Sequence, residues 1–216
     1  MPEADAPLEP QYATLRQQTD VATIGLWAFL ATEILFFGGM LYAYAADRGL
    51  YGDGFFEAGR HTKIVIGSVN TVVLLTSSFV MAWAIEMAGK GRRRALSNLL
   101  LVVAAFGVLF LCLKGLEYYK EWQEHLVPGL NFDQDSPHAH AIELFFFLYF
   151  ALTGVHGVHV AIGVGIVLTM AWKARRGAFS RAYYTPVEVT GLYWHFVDIV
   201  WIYLYALIYL LGRSGS

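Results

Sequence analysis

Three ionisable side chains stand in the middle of long apolar runs: Glu33 in TEILFFGG, His156 in LTGVHGVH and Asp198 in WHFVDIVW. An ionisable group near the centre of a bilayer costs about 2.5 to 3.5 kcal/mol on insertion scales, so each needs a partner or a use. Glu33 is surrounded by Ile34, Leu35, Phe36 and Phe37, with no basic neighbour in its run. Desolvation favours a neutral acid in such a place. Two roles are open to it: a proton-active, carbodiimide-reactive carboxyl, or a structural group hydrogen-bonded to a neighbouring helix. His195 and Asp198 are three residues apart, the spacing of a hydrogen-bonded pair on one helical face, with Trp194 and Trp201 beside it. His156 and His159 repeat that spacing. By their depth in the runs, Glu33, His156 and Asp198 all lie near mid-membrane, where one layer of a helix bundle could hold them.

Imidazoles at helical spacing are also haem and metal ligands. Of the seven histidines only His156, His159 and His195 lie deep in apolar runs, too few for paired axial ligands to two haems or for the histidine boxes of a di-iron site. The expectation is therefore no metal, no catalytic residue, and histidines bonded to carbonyls, to Asp198 or to lipid head groups. Cys112 is the only cysteine, which excludes a disulfide framework or a CxxC centre within the chain. Lys114, Glu117 and Glu121 are spaced to pair along one helix and read as a salt-bridged end at the membrane interface. Thr153, Gly157, Ala161, Gly165 and Thr169 recur every four residues, a flat stripe of the small-xxx-small kind for close helix packing, with Val167 on the lipid side. Trp122, Tyr118, Tyr119, Tyr183, Tyr184 and Tyr193, near the ends of the runs, read as an aromatic belt.

The elements that must hold these groups are membrane helices. Of 216 residues 57% are hydrophobic and only 15% charged, against about 25% charged in an ordinary soluble domain. Five windows, 21–46, 64–88, 96–122, 142–172 and 187–211, reach the length that crosses a bilayer. They define an all-α polytopic membrane protein, a single five-helix domain over 21–211. A polar tail at 1–20 lacks the apolar core of a cleavable signal peptide, and a short tail follows at 212–216. Continuous rather than alternating apolar runs exclude a transmembrane barrel. The net charge of −2 gives no basic field for nucleic acid. The intervening stretches 47–63 and 123–141 carry turn formers, GDG at 52–54 and PGLNFDQDSP at 128–137. Nine basic residues (Arg16, Lys90, Arg92, Arg93, Arg94, Lys173, Arg175, Arg176, Arg181) fall on one side and six (Arg48, Arg60, Lys63, Lys114, Lys120, Arg213) on the other. The N-terminus is expected inside and the C-terminus outside.

Four segments carry a family resemblance. ELFFFLYFALTGVHGVHVAIG (143–163), with His156, Gly157, His159 and Val160, resembles the penultimate helix of subunit III of haem-copper oxidases. YWHFVDIVWIYLY (193–205) resembles that subunit's last helix, LWAFLATEILFFGG (26–39) its helix with a membrane-buried glutamate, here Glu33, and KGLEYYKEW (114–122) a further segment with Glu117 in place. The resemblance covers about residues 20–211 and is to the five-helix bacterial form rather than the seven-helix form, in which two more N-terminal helices complete a lipid cleft. It implies an accessory subunit in a bacterial cytoplasmic (inner) membrane, with no cofactor of its own. Bound phospholipid is implied, as are partners in catalytic subunit I and the other oxidase subunits, which hold haem and copper. Such a subunit supports assembly and sustained proton uptake during oxygen reduction by a cytochrome c or quinol oxidase. Two alternatives stay open from the sequence: an accessory chain of a nitric oxide reductase, and a small proton-coupled transporter using Glu33 and Asp198.

Overall fold

The computed structural model describes residues 8–181 and 183–211. In a bilayer every backbone amide and carbonyl must be satisfied within the segment, so the apolar runs fold as helices. They form α1 (Leu15–Leu50), α3 (Ile64–Gly89), α4 (Arg93–Gln123), α5 (Ala139–Arg175) and α6 (Thr185–Leu204), with α6 continued by a π-helical turn, Tyr205–Leu210. These five are long and apolar enough to cross a membrane, and the described residues contain no strand. α3, α4, α5 and α6 close a four-helix bundle, and α1 lies outside it against α5 and α6. With 36 residues, α1 is about 54 Å long and stands beyond a hydrocarbon core of about 30 Å.

Two features change the sequence reading beyond small shifts of the helix ends. α1 starts at Leu15, inside the stretch read as a polar tail. Thr14 caps it by accepting the Gln17 amide at 3.2 Å, and Gln17 Oε1 reaches back to the Ala13 amide at 2.9 Å. This is a near relative of the capping box, and the Thr-x-x-Gln spelling at 14–17 carries it. Gln18 then donates to the Tyr183 hydroxyl at 2.7 Å, and the Thr19 and Thr185 hydroxyls meet at 3.1 Å, tying the start of α1 to the start of α6. The second difference is a ten-residue helix, α2 (Gly52–His61), in the stretch 47–63 read as a loop. Its own residues are weak helix formers. Burial of Phe55 and Ala58 holds it against α5, where a Cβ on Gly54 would strike Ala141.

The reversals after α3 and α5 share one device. At Gly91 (φ 69°) the Gly91 amide bonds Ala88 O and the Arg92 amide bonds Met87 O. Around Gly177 (φ 79°) the pairs are Gly177 to Ala174 O and Ala178 to Lys173 O. Both are Schellman caps, which need a left-handed residue and so favour glycine. The bundle interior is aromatic: Trp194, Trp201, Tyr149, Tyr209, Phe110, Phe145 and Phe146 are all essentially inaccessible.

Candidate functional site

Glu33 does have a basic neighbour, on another helix. His159 Nε2 of α5 stands 3.1 Å from Glu33 Oε2 of α1. The approach is off-line, so that oxygen makes no aligned hydrogen bond. The other ring nitrogen of His159, Nδ1, is 2.9 Å from the Val155 carbonyl, an acceptor, and must carry the hydrogen. With Nδ1 so used, Nε2 is the ring atom turned to Glu33, and an acid and a base from two helices face each other there. His159 also lines an apolar groove of about 410 Å³ with Leu26 and Phe29 of α1, Ile162 and Ile166 of α5, and Tyr193 of α6. Phe37 packs edge-on to its ring, and the Tyr193 hydroxyl donates to the His159 carbonyl at 3.0 Å. Ile34, Leu35 and Phe36, which looked like walls around the carboxyl, are exposed on the outer side of α1.

Glu33, His156 and Asp198 face different surroundings. His156 points the other way from His159, into the bundle, fully buried between Phe110 and Trp201, with neither ring nitrogen bonded. His195 does not pair with Asp198; its Nδ1 is 2.6 Å from Ser78 Oγ of α3, and both Asp198 carboxyl oxygens are buried without a hydrogen-bond partner. The same face of α3 takes both indoles of α6: Trp194 Nε1 donates to Ser77 at 3.0 Å and Trp201 Nε1 to Thr71 at 3.0 Å. Among the described residues no three His, Cys, Asp or Glu side chains converge in a metal-ligand arrangement.

The group read as an interfacial salt bridge is instead a buried polar cluster. Lys114, Glu117 and Glu121 are at most 5% exposed. Lys114 Nζ donates to Glu117 Oε2 at 2.9 Å, Tyr149 at 2.9 Å and Tyr209 at 3.0 Å, which uses all three ammonium hydrogens. Tyr209 donates to the other Glu117 oxygen at 2.7 Å. Rings of Tyr118, Tyr149, Trp201 and Tyr209 surround the ammonium at 4.7 to 5.8 Å. Glu121 is left with two unpartnered oxygens. The helical spacing of the three charges was legible; their burial was not, because it depends on Tyr149 and Tyr209 arriving from two other helices.

The flat stripe of α5 also needs correction. Thr153 is buried, donating to the Tyr149 carbonyl and accepting from Tyr118 at 2.7 Å, and Gly157 has only Leu111 nearby. Ala161, Gly165 and Thr169 face outward, and nothing lies within 4 Å of a Cβ built on Gly165. Val167, expected on the lipid side, is fully buried. Close packing is made by Gly163, where a Cβ would stand 3.1 Å from Trp194, and by Gly107, where it would meet Val164 at 2.6 Å. Of the expected aromatic belt, Tyr119 and Trp122 are exposed, whereas Tyr118, Tyr183 and Tyr193 make the inward hydrogen bonds described above.

Comparison with known proteins converges on one family. The family described as Cytochrome c oxidase subunit III matches residues 14–213. Among individual relatives, cytochrome c oxidase subunit 3 of Thermostichus vulcanus is 32% identical over 91% of this chain and 90% of its own length. The subunit 3 of Synechocystis sp. is 33% identical over 89% and 76%. That of Alkalihalophilus pseudofirmus is 28% identical over 97% and 95%.

Proposed function

Because the chain belongs to the cytochrome c oxidase subunit III family, we propose that it is the accessory subunit of a bacterial haem-copper terminal oxidase, packed on catalytic subunit I in the cytoplasmic membrane. It is a multi-pass membrane protein, and as an oxidase subunit III it works in a complex with other oxidase subunits. In this reading haem and copper sit in partner chains, this chain carries no redox centre, and electron transfer to oxygen is theirs. Its own contribution is assembly, a phospholipid seat and support of sustained proton uptake.

The observation that carries the finer reading is the Glu33–His159 pair at the wall of the α1–α5–α6 groove. An acyl chain fits the chemistry of a groove lined by Leu26, Phe29, Ile162 and Ile166, because its apolar walls ask for no hydrogen bonds. An acid and a base placed against each other are tolerated beside hydrocarbon, where a lone ionisable group is not. The test is purification through a tag on this chain, followed by an optical spectrum and repeated-turnover oxygen consumption. A haem-bearing partner at constant stoichiometry is expected, together with activity that decays faster once this chain is stripped from the complex. Recovery of the chain without any haem-bearing partner would refute the reading.

A further inference from the structure

At the end of the bundle opposite the Lys114 cluster, three guanidinium groups converge on one cleft between α4 and α5. Arg93, Arg94, Ser97, Asn98 and Arg175 line a hollow of about 290 Å³ with no carboxylate among them. Among the described residues, none of the three arginines is in an ion pair. Bridges form elsewhere, as at Arg16–Asp20, Lys63–Glu124, Lys90–Glu86, Lys114–Glu117 and Glu33–His159. Like charges held this close without an acid repel one another, so an anion is the group the cleft lacks.

The cleft is also built rather than incidental. Ser97 is buried and donates to the Ala171 carbonyl at 2.9 Å, and its oxygen accepts from Arg175 Nε at 3.1 Å. Arg175 is thereby oriented through Nε, leaving its two terminal nitrogens for a ligand; that planar pair of donors suits phosphate oxygens. Arg93 crosses the cap at Gly177, where any Cβ would meet its terminal nitrogen at 2.6 Å. The first turn of α4 has no side-chain cap, which adds unsatisfied amides beside the same hollow. Trp172, exposed at the end of α5 with Arg176 stacked on it at 3.9 Å, sets this level as a membrane interface. From Asn98 the outer face of α4 continues through exposed Leu101 and Ala105, so a ligand held at the cleft has an apolar path into the bilayer.

We propose that the α4–α5 cleft is a head-group site for an anionic phospholipid, its phosphodiester held by Arg93, Arg94 and Arg175 and its acyl chains laid on the outer face of α4. The site is separate from the groove at Glu33, and it rests on the chain being a membrane protein rather than on its role in the oxidase. Basic pockets between membrane helices select anionic lipid by this chemistry.

The test uses the membrane complex purified through a tag on this chain and equilibrated with phosphatidylcholine vesicles doped with phosphatidylglycerol. Native mass spectrometry then counts the retained phosphatidylglycerol. Each of Arg93→Gln, Arg94→Gln and Arg175→Gln is expected to weaken retention about fivefold, while Lys120→Gln at the other end changes nothing. An arm with excess inorganic phosphate separates the sources, and the lipid is expected to resist displacement because its acyl chains add to the binding. A photoreactive phosphatidylglycerol analogue on the unmutated complex is expected to label peptides spanning 93–105, which keeps the test independent of how the variants fold. Unchanged retention in the triple variant, equal retention of phosphatidylcholine, displacement by inorganic phosphate alone, or labelling confined to other segments each overturns the proposal. Loss of a haem-bearing partner from the same preparation bears on the oxidase reading and not on this one.

Discussion

His159 Nε2 stands 3.1 Å from Glu33 Oε2 while its Nδ1 hydrogen points at the Val155 carbonyl, so the imidazole is oriented by its own helix and presented to a carboxyl on another. The Nδ1 contact lies within α5, whereas the Glu33 contact and the edge-on packing of Phe37 depend on α1 docking against α5. This makes the pair a reporter of that docking.

Glu33→Gln is expected to assemble and to support normal initial turnover, because glutamine keeps the size of the side chain and a polar group facing His159 Nε2. Glu33→Ala removes the partner and is expected to weaken the α1–α5 contact by about 1–3 kcal/mol. A double-mutant cycle with His159→Ala is expected to return a coupling of about 0.5–3 kcal/mol. The measurement is subunit content together with oxygen consumption over repeated turnovers. Complete early loss of activity in a fully assembled Gln complex would show that exchange of the proton, not the contact, is what the carboxyl supplies.

Lys114 is the cation on which the buried cluster closes. Lys114→Met leaves Glu117 buried and unpaired beside Glu121, and removing one member of a buried ion pair costs about 3–5 kcal/mol. Glu117→Gln in the Lys114→Met background is expected to recover most of that loss, since it removes the stranded charge and keeps an acceptor for the Tyr209 hydroxyl. Thermal unfolding of the detergent-solubilised complex, followed by release of this subunit, distinguishes the outcomes. A double variant no more stable than the single one means the cluster acts through packing rather than charge.

The five spans are legible in the sequence because an apolar run of some twenty residues has one stable solution in lipid. The partners across helices are not. Glu33 meets His159, and His195 meets Ser78, across helices brought together only by packing. Which side of a span faces inward is equally hard to read, because lipid and protein interior are both apolar and periodicity no longer separates them. Val167 and Gly165 show this directly: the valine is in the core and the glycine is outside. α2 escapes detection for a different reason, since its Gly, Asp and Gly have poor intrinsic helix preference and it forms by burying Phe55 and Ala58.

The basic residues near Lys90–Arg94 and Lys173–Arg181 predict that their side faces the cytoplasm, with the N-terminus inside and the C-terminus outside. A reporter active only outside the cytoplasm is expected to work when fused after Ser216 and to fail at Met1. The reverse pattern would invert the assignment and put the arginine cleft on the other leaflet.

The two glycines of α5 separate packing within the chain from packing between chains. Gly163 sits under Trp194 and Tyr193, and a Cβ there is already 3.1 and 3.2 Å from their rings. Gly163→Leu must push α6 away and is expected to cost at least about 1–3 kcal/mol, the usual range for overpacking. Gly165 has open space around it in this chain, so Gly165→Leu leaves the subunit fold intact and acts only on what lies against the outer stripe of Ala161, Gly165 and Thr169. If that stripe receives a helix of a partner subunit, Gly165→Leu lowers the recovery of this chain in the complex while the subunit purified alone melts as wild type does. If lipid covers the stripe, neither quantity moves, because an acyl chain rearranges around an added side chain where a packed helix cannot. Recovery in the complex, read beside the melting temperature of the separated subunit, decides between the two coverings. A lower melting temperature for Gly165→Leu than for Gly163→Leu would contradict the assignment of these faces.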